Sequence, residues 1–147
     1  MSTLALAPRT RSGPLQAQRA WLDFIVDGTP LRRRLKKTDN VTGLGWLPPA
    51  EQSTYRDRLL LDAPPDSPTG RCSLYVCGEC GDLSCGAVTV RVRRTPAGIE
   101  WADFAFEVDY LNAPMDTMPD VGPFVFEEPH YRQLLTGVPS RAGDDHR

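Results

Sequence analysis

Three of this chain's four cysteines fall within nine residues, as Cys77-x2-Cys80-x4-Cys85, in the run Y-V-C-G-E-C-G-D-L-S-C-G-A-V-T-V-R-V from Tyr75 to Val92. Thiolates are good zinc ligands, and the glycines at 78, 81 and 86 permit the tight, positive-φ turns of a metal knuckle. A closed structural site takes four ligands. Cys72 would extend the series to C-x4-C-x2-C-x4-C. On a regular strand, however, Cys72 and Cys77 are an odd step apart and point to opposite faces. His130, Asp82 and Glu79 are the other candidates for a fourth ligand, and the spacing does not choose between them.

The same cysteines have two other readings. They are small hydrophobes packed in a glycine-rich turn, or Cys77 and Cys80 form a redox pair. A thioredoxin-type CxxC opens a helix whose N-terminus lowers the thiol pKa. Here Gly81–Ser84 leads to a third cysteine and then a strand, so that helix is missing.

Other chemistry is sparse. His130 and His146 are the only histidines, so a histidine-activated nucleophile would rest on His130 alone. Asp103, Glu107 and Asp109 could form an acid/base pair or a Mg2+ site, but carboxylates on a hairpin rim are ordinarily just solvated. The glycine-rich run lacks the lysine and the following helix of a phosphate loop. No residue is assigned a catalytic or cofactor-binding role.

The elements that must position the cysteines follow from periodicity. Arg71–Cys77 reads as a strand that enters the knuckle. Ala87–Arg94 alternates Val88, Val90 and Val92 against Thr89, Arg91 and Arg93, so a strand leaves it. The T-P-A-G turn at Thr95–Gly98 and a return over Ile99–Val108 complete a β-hairpin. Ile99 and Trp101 share one parity, Phe104 and Phe106 the other, which predicts either two covered faces or a β-bulge near Ala102–Asp103.

Upstream, Ala20–Val26 reads as a strand, Thr29-Pro30 as the start of a short helix to Lys37, and Pro48–Leu61 as a longer helix. Val41–Leu44 is a short extended piece. Downstream, Pro123–Glu127 is a short strand, and Pro129 opens a helix with Tyr131, Leu134, Leu135 and Val138 on one face. The fold expected is α+β: residues 19–140 form a single domain, an antiparallel sheet of four or five strands with two or three helices packed on it. Residues 1–18 and 141–147 are expected to be disordered. The expected core is Trp21, Phe24, Val26, Leu59, Val88, Val90, Val92, Trp101, Phe104, Phe124, Phe126, Leu134 and Leu135.

At 147 residues, with 40% hydrophobic and 24% charged residues, the chain has enough apolar content for one core. Fourteen prolines punctuate the connections. A net charge of −2 gives no overall attraction to nucleic acid or an anionic membrane. The Arg32–Lys37 cluster lacks interleaved aromatics, which speaks against nucleic acid. Between Thr95 and Glu128 there are eight acids and no Lys, Arg or His. Such a block is ordinarily a solvated face; the sharper reading is an acidic face, with Glu100, Asp103, Glu107 and Asp109 binding a basic protein partner. The opening residues lack a signal core and no run is long enough for a membrane span. Four cysteines without a secretion signal point to the reducing cytoplasm. Arginine-rich, lysine-poor usage suggests a GC-rich bacterial genome.

The run C-G-E-C-G-D-L-S-C-G-A-V-T, followed by W-A-D-F and G-P-F-V-F, resembles a family of small uncharacterised bacterial proteins, some of them labelled oxidoreductases. That family's pattern is C-x-E-C-G-D-L-x-C-G-A-V-T, then W-x-D-F, then G-P-F-x-F. The resemblance spans about Leu74–Leu135 and singles out Cys77, Cys80, Gly81, Asp82, Cys85, Gly86, Trp101, Asp103, Phe104, Gly122, Pro123, Phe124, Phe126 and Tyr131. Cys72 is not in the pattern. The function expected is a non-catalytic, immunity- or inhibitor-like interaction protein, with Cys77, Cys80 and Cys85 as a structural knuckle for zinc. The alternative is a thiol- or metal-dependent redox enzyme using the same cysteines.

Overall fold

The computed structural model describes residues 1–35 and 39–140. Its first sheet has three antiparallel strands, β1 (Leu4–Arg11), β2 (Arg19–Val26) and β3 (Thr29–Pro30), in that spatial order. Its second sheet has six. β4 (Val41–Thr42), β5 (Cys72–Val76), β6 (Ala87–Thr95), β7 (Gly98–Glu107) and β8 (Asp116–Thr117) lie side by side, and β9 (Phe124–Phe126) also pairs with β7. Helix α1 (Pro49–Leu59) stands between β4 and β5, and α2 (Glu128–Thr136) comes after β9. The fold is therefore α+β in one domain, with more strands than expected and divided between two sheets.

The N-terminal segment corrects an expectation. Instead of being disordered, Leu4–Arg11 pairs along its whole length with β2, from Leu4 opposite Val26 to Arg11 opposite Arg19. Its L-A-L-A-P-R-T-R sequence carries little strand propensity of its own, and β2 supplies the ladder. Pro8 is tolerated because β1 is an edge strand. A second correction lies at Thr29–Pro30, which forms β3 rather than capping a helix. The chain then makes only a 3-10 turn, Leu31–Arg34, with no side-chain cap. Leu35 follows that turn in an extended conformation, and Lys36 and Lys37 of the expected helix, like the 141–147 tail, lie outside the described residues.

The hairpin β6–β7 forms as its alternation requires, and the break in parity is a bulge. Arg91 stands opposite Ala102 and Thr89 opposite Ala105, so β7 carries one extra residue. Asp103 absorbs it with φ of 56°. This re-aims β7, so that both Trp101 and Phe104 are buried.

Trp101 sits at the centre of the core with no exposed surface. Its ring meets Phe24 and Phe126 edge-on at 5.2 and 5.1 Å, and each such buried aromatic contributes about 2–3 kcal/mol. Its indole N–H donates to the Tyr131 hydroxyl at 3.0 Å, which in turn donates to the Leu59 carbonyl at 2.6 Å. Of the expected core, Val92 and Leu134 are only half-buried. The two sheets are joined where the Leu22 N–H donates to the Leu44 carbonyl at 3.0 Å and the Thr42 hydroxyl donates to the Leu22 carbonyl.

Candidate metal centre

Strands β5 and β6 are antiparallel neighbours, so the ten residues joining them, 77–86, must turn back within a short span. Cys77 leaves the end of β5. The Gly81 N–H donates to the Cys77 carbonyl at 2.8 Å, closing a turn in which Gly81 adopts φ of 72°. Asp82 then caps a 3-10 turn over Leu83–Cys85 by accepting the Ser84 N–H at 3.1 Å. Leu83 is buried and pins this turn to the core. Gly86, at φ of 94°, releases the chain into β6, and a Cβ there would lie 2.5 Å from the Phe106 ring.

This folding brings Cys77, Cys80 and Cys85 together with all three Sγ atoms within 4.8 Å of one another. Cys80 and Cys85 approach to 3.3 Å, and no disulfide joins them. Three sulfurs around a tetrahedral zinc, at the usual bond length, are about 3.8 Å apart. The cluster brackets that spacing. Cys77 is half-buried while Cys80 and Cys85 are exposed, so a cation has access from one side.

Backbone amides already point at the sulfurs. The Glu79 N–H donates to Cys77 Sγ and the Asp82 N–H to Cys80 Sγ, both at 3.4 Å. Partial burial opposes ionisation of Cys77, but the N–H groups of Cys80 and Glu79 outweigh it and hold the thiol below its ordinary range. Cys85 is pushed up to about 11, by its hydrogen bond with Cys80 and then by the charge of its neighbours. Three thiolates this close repel one another. A bound cation removes that repulsion and displaces the protons.

The candidates for a fourth ligand are all engaged elsewhere. Cys72 lies within β5, with Sγ 3.7 Å from the Arg58 carbonyl, and burial pushes its thiol up to about 12. The His130 imidazole is 3.1 Å from the Leu4 carbonyl. Asp82 is the turn cap. Glu79 accepts from Arg11 at 2.6 Å and from the Ala17 N–H at 3.0 Å. Among the described residues the cluster is a three-cysteine site.

Two arginines not singled out by sequence hold the knuckle in place. Arg19, at the start of β2, donates to the carbonyls of Gly78 and Glu79 at 2.9 and 3.0 Å, with its guanidinium 4.6 Å from the centre of the Trp46 ring. Arg11, at the end of β1, reaches Glu79 and the Ala17 carbonyl. The end of the N-terminal hairpin therefore grips the outer loop of the knuckle. Beside Cys80 lies a cleft of about 330 Å³ with Glu51, Asp66, Asp82 and Asp109 in its wall. Among the described residues its one cation, Arg58, is paired with Asp66 at 3.5 Å. The resulting field favours a positive ion.

The residues expected to form an acidic face are dispersed. Glu100 is ion-paired with Arg93, and Asp103 lies 3.4 Å from Arg91. Glu107 is fully buried and accepts the hydroxyls of Thr89 and Thr69 at 2.5 and 2.8 Å. A buried carboxylate cannot meet a partner, so Glu107 leaves the expected surface. Asp109 is exposed at the rim of the cleft beside Cys80. The block looked uncompensated because the balancing arginines are on β6, across the hairpin. No helix among the described residues is long and apolar enough to cross a membrane. Comparison with protein-family models, curated proteins and solved structures finds no match to this chain.

Proposed function

We propose that this protein is a metal-binding interaction module in which Cys77, Cys80 and Cys85 hold one zinc ion, leaving a coordination position for a ligand from a protein partner. The observation that carries this reading is the convergence of three free thiols within 4.8 Å on a loop held by backbone turns and two arginines. Zinc is the first choice because it is abundant and takes thiolates readily, and a site with three protein ligands keeps room for an exchangeable fourth. The partner is a protein with a basic surface, drawn by Asp109 and its neighbouring carboxylates and contacting the exposed Tyr110, Leu111 and Met115. A reducing cytoplasm keeps the thiols available.

The test is zinc titration of the reduced protein, followed by the thiolate-to-metal absorption band of a cadmium-substituted sample. One ion per chain is expected. Single serine substitutions at Cys77, Cys80 and Cys85 should each weaken binding, while Cys72→Ser should not. Reduced protein that takes up no zinc or cadmium would refute the proposal.

A second reading rests on the 3.3 Å approach of Cys80 and Cys85. That pair would deliver two electrons and two protons to a partner disulfide and close its own. Metal-free protein with a readily reversible Cys80–Cys85 disulfide would favour it.

A further inference from the structure

A separate arrangement lies on the first sheet, around Asp23. This β2 carboxylate has no exposed surface, and its Oδ1 accepts the Tyr75 hydroxyl at 2.6 Å. Its Oδ2 is 3.3 Å from the Nε of Arg9 and 3.3 Å from the Nε of Arg32. Two guanidinium groups against one carboxylate leave a net positive charge. Arg9 donates to Asp23 through Nε, while the Arg32 Nε pairs with it by charge without completing a hydrogen bond, and the terminal nitrogens of both have no acceptor among the described residues. They are about a third exposed, at 28% and 33%.

Trp21 stands next to them, with the Arg32 guanidinium 6.0 Å from its ring. Its indole N–H is buried and has no acceptor among the described residues. A buried donor without a partner costs about 1–3 kcal/mol, and such groups in native proteins call for an explanation. A cleft of about 640 Å³ opens here, walled by Arg9, Arg32, Trp21, Pro8 and Leu22, with Ser140 also lining it. That volume suits a small organic ligand. No carboxylate side chain among the described residues lines this cleft. The 400 Å³ cleft over β6 and β7 is different, since Glu100 and Asp103 offset its three arginines.

We propose that this cleft binds a small organic carboxylate, with the guanidinium groups of Arg9 and Arg32 on the carboxylate and the apolar wall on its body. The planar fork of arginine matches a carboxylate edge to edge. The Pro8, Leu22 and Trp21 wall favours an organic acid over inorganic phosphate, because a hydrated phosphate gains nothing from apolar contact. This site shares no residue with the cysteine cluster and stands or falls independently of it.

The probe is benzoate, titrated into the full chain while the three tryptophan indole N–H resonances are tracked by NMR, with Trp21 assigned from a Trp21→Phe variant. The expected result is a saturable shift of the Trp21 resonance, with neutral benzamide weaker by at least about tenfold, as loss of a charge-assisted pair implies. Arg32→Gln should weaken benzoate by a similar factor. If that variant does not fold, the benzoate-to-benzamide ratio in the unaltered protein decides. The proposal is overturned if Trp21 does not respond, or if benzoate and benzamide bind alike. A tighter response to inorganic phosphate overturns the assignment to carboxylates, and an equal response to chloride means an adventitious ion only.

Discussion

Replacing Arg19 with methionine separates the knuckle from the hairpin while keeping most of the aliphatic stem. The change removes two charge-assisted hydrogen bonds to the Gly78 and Glu79 carbonyls and a stacking contact on Trp46. In a buried setting each bond would be worth about 1.5–3 kcal/mol. These are partly solvated, so their sum is about 1–2 kcal/mol, with roughly 0.5–1 kcal/mol more from the cation–π contact. Only the part of that energy that organises the thiolates appears in metal affinity. If it is about 1 kcal/mol, zinc binds roughly fivefold more weakly to the variant.

Linkage makes the effect reciprocal: if hairpin docking tightens zinc, then zinc tightens hairpin docking by the same factor. Two assays therefore check one quantity. Competition titration against a chelator gives the change in zinc affinity, and hydrogen exchange at the amides of β1 and β2 gives the protection that zinc confers. Arg19→Met should lose both together. A variant that binds zinc as tightly as the original protein, with hairpin protection still rising on metal addition, would refute the coupling while leaving the metal site standing.

The native protein should show three thiols that react with an exposed-thiol reagent, with the fourth appearing only in denaturant. Cys72 is buried within β5 and out of a reagent's reach, whereas Cys80 and Cys85 are exposed and Cys77 is half-buried. Zinc should protect the first three and leave the fourth unchanged. Charge reversal separates the two ends of the acidic block. Glu107→Lys buries an unpaired cation beside Thr69 and Thr89 and should cost at least about 3 kcal/mol by urea unfolding. Asp109→Lys should stay within about 0.5 kcal/mol of the original stability, and should weaken a basic partner in a salt-dependent way.

Short-range features were legible in the chain. Alternating valines and a T-P-A-G turn specify the β6–β7 hairpin, and the parity change between Trp101 and Phe104 marks the bulge at Asp103. Cysteine and glycine spacing over ten residues marks the knuckle, because every contact that builds its turns is local. What was illegible is non-local. Arg11 meets Glu79 across 68 residues, and Arg19 meets Gly78 across 59. Neither arginine differs in local context from a solvated one. Strand β1 was hidden because its order comes from pairing with β2 rather than from its own composition. Glu107 was misplaced because strand alternation cannot announce that Thr69, from a proline-rich connection, will help to satisfy an inward carboxylate.

The bulge in β7 also governs how the molecule behaves in company. By re-aiming one strand it lets that strand's outer margin be covered in two pieces, β9 along Ile99–Trp101 and β8 along Ala105–Phe106. The margins of the larger sheet are thus strands of two or three residues, too short to template the growth of another chain. The one long margin, β1, is interrupted by Pro8 and studded with Arg9 and Arg11. A chain that exposes two thiols on one loop gains from sheet borders that give a neighbouring chain little to pair with. Straightening β7 by deleting Asp103 would therefore endanger solubility as well as stability.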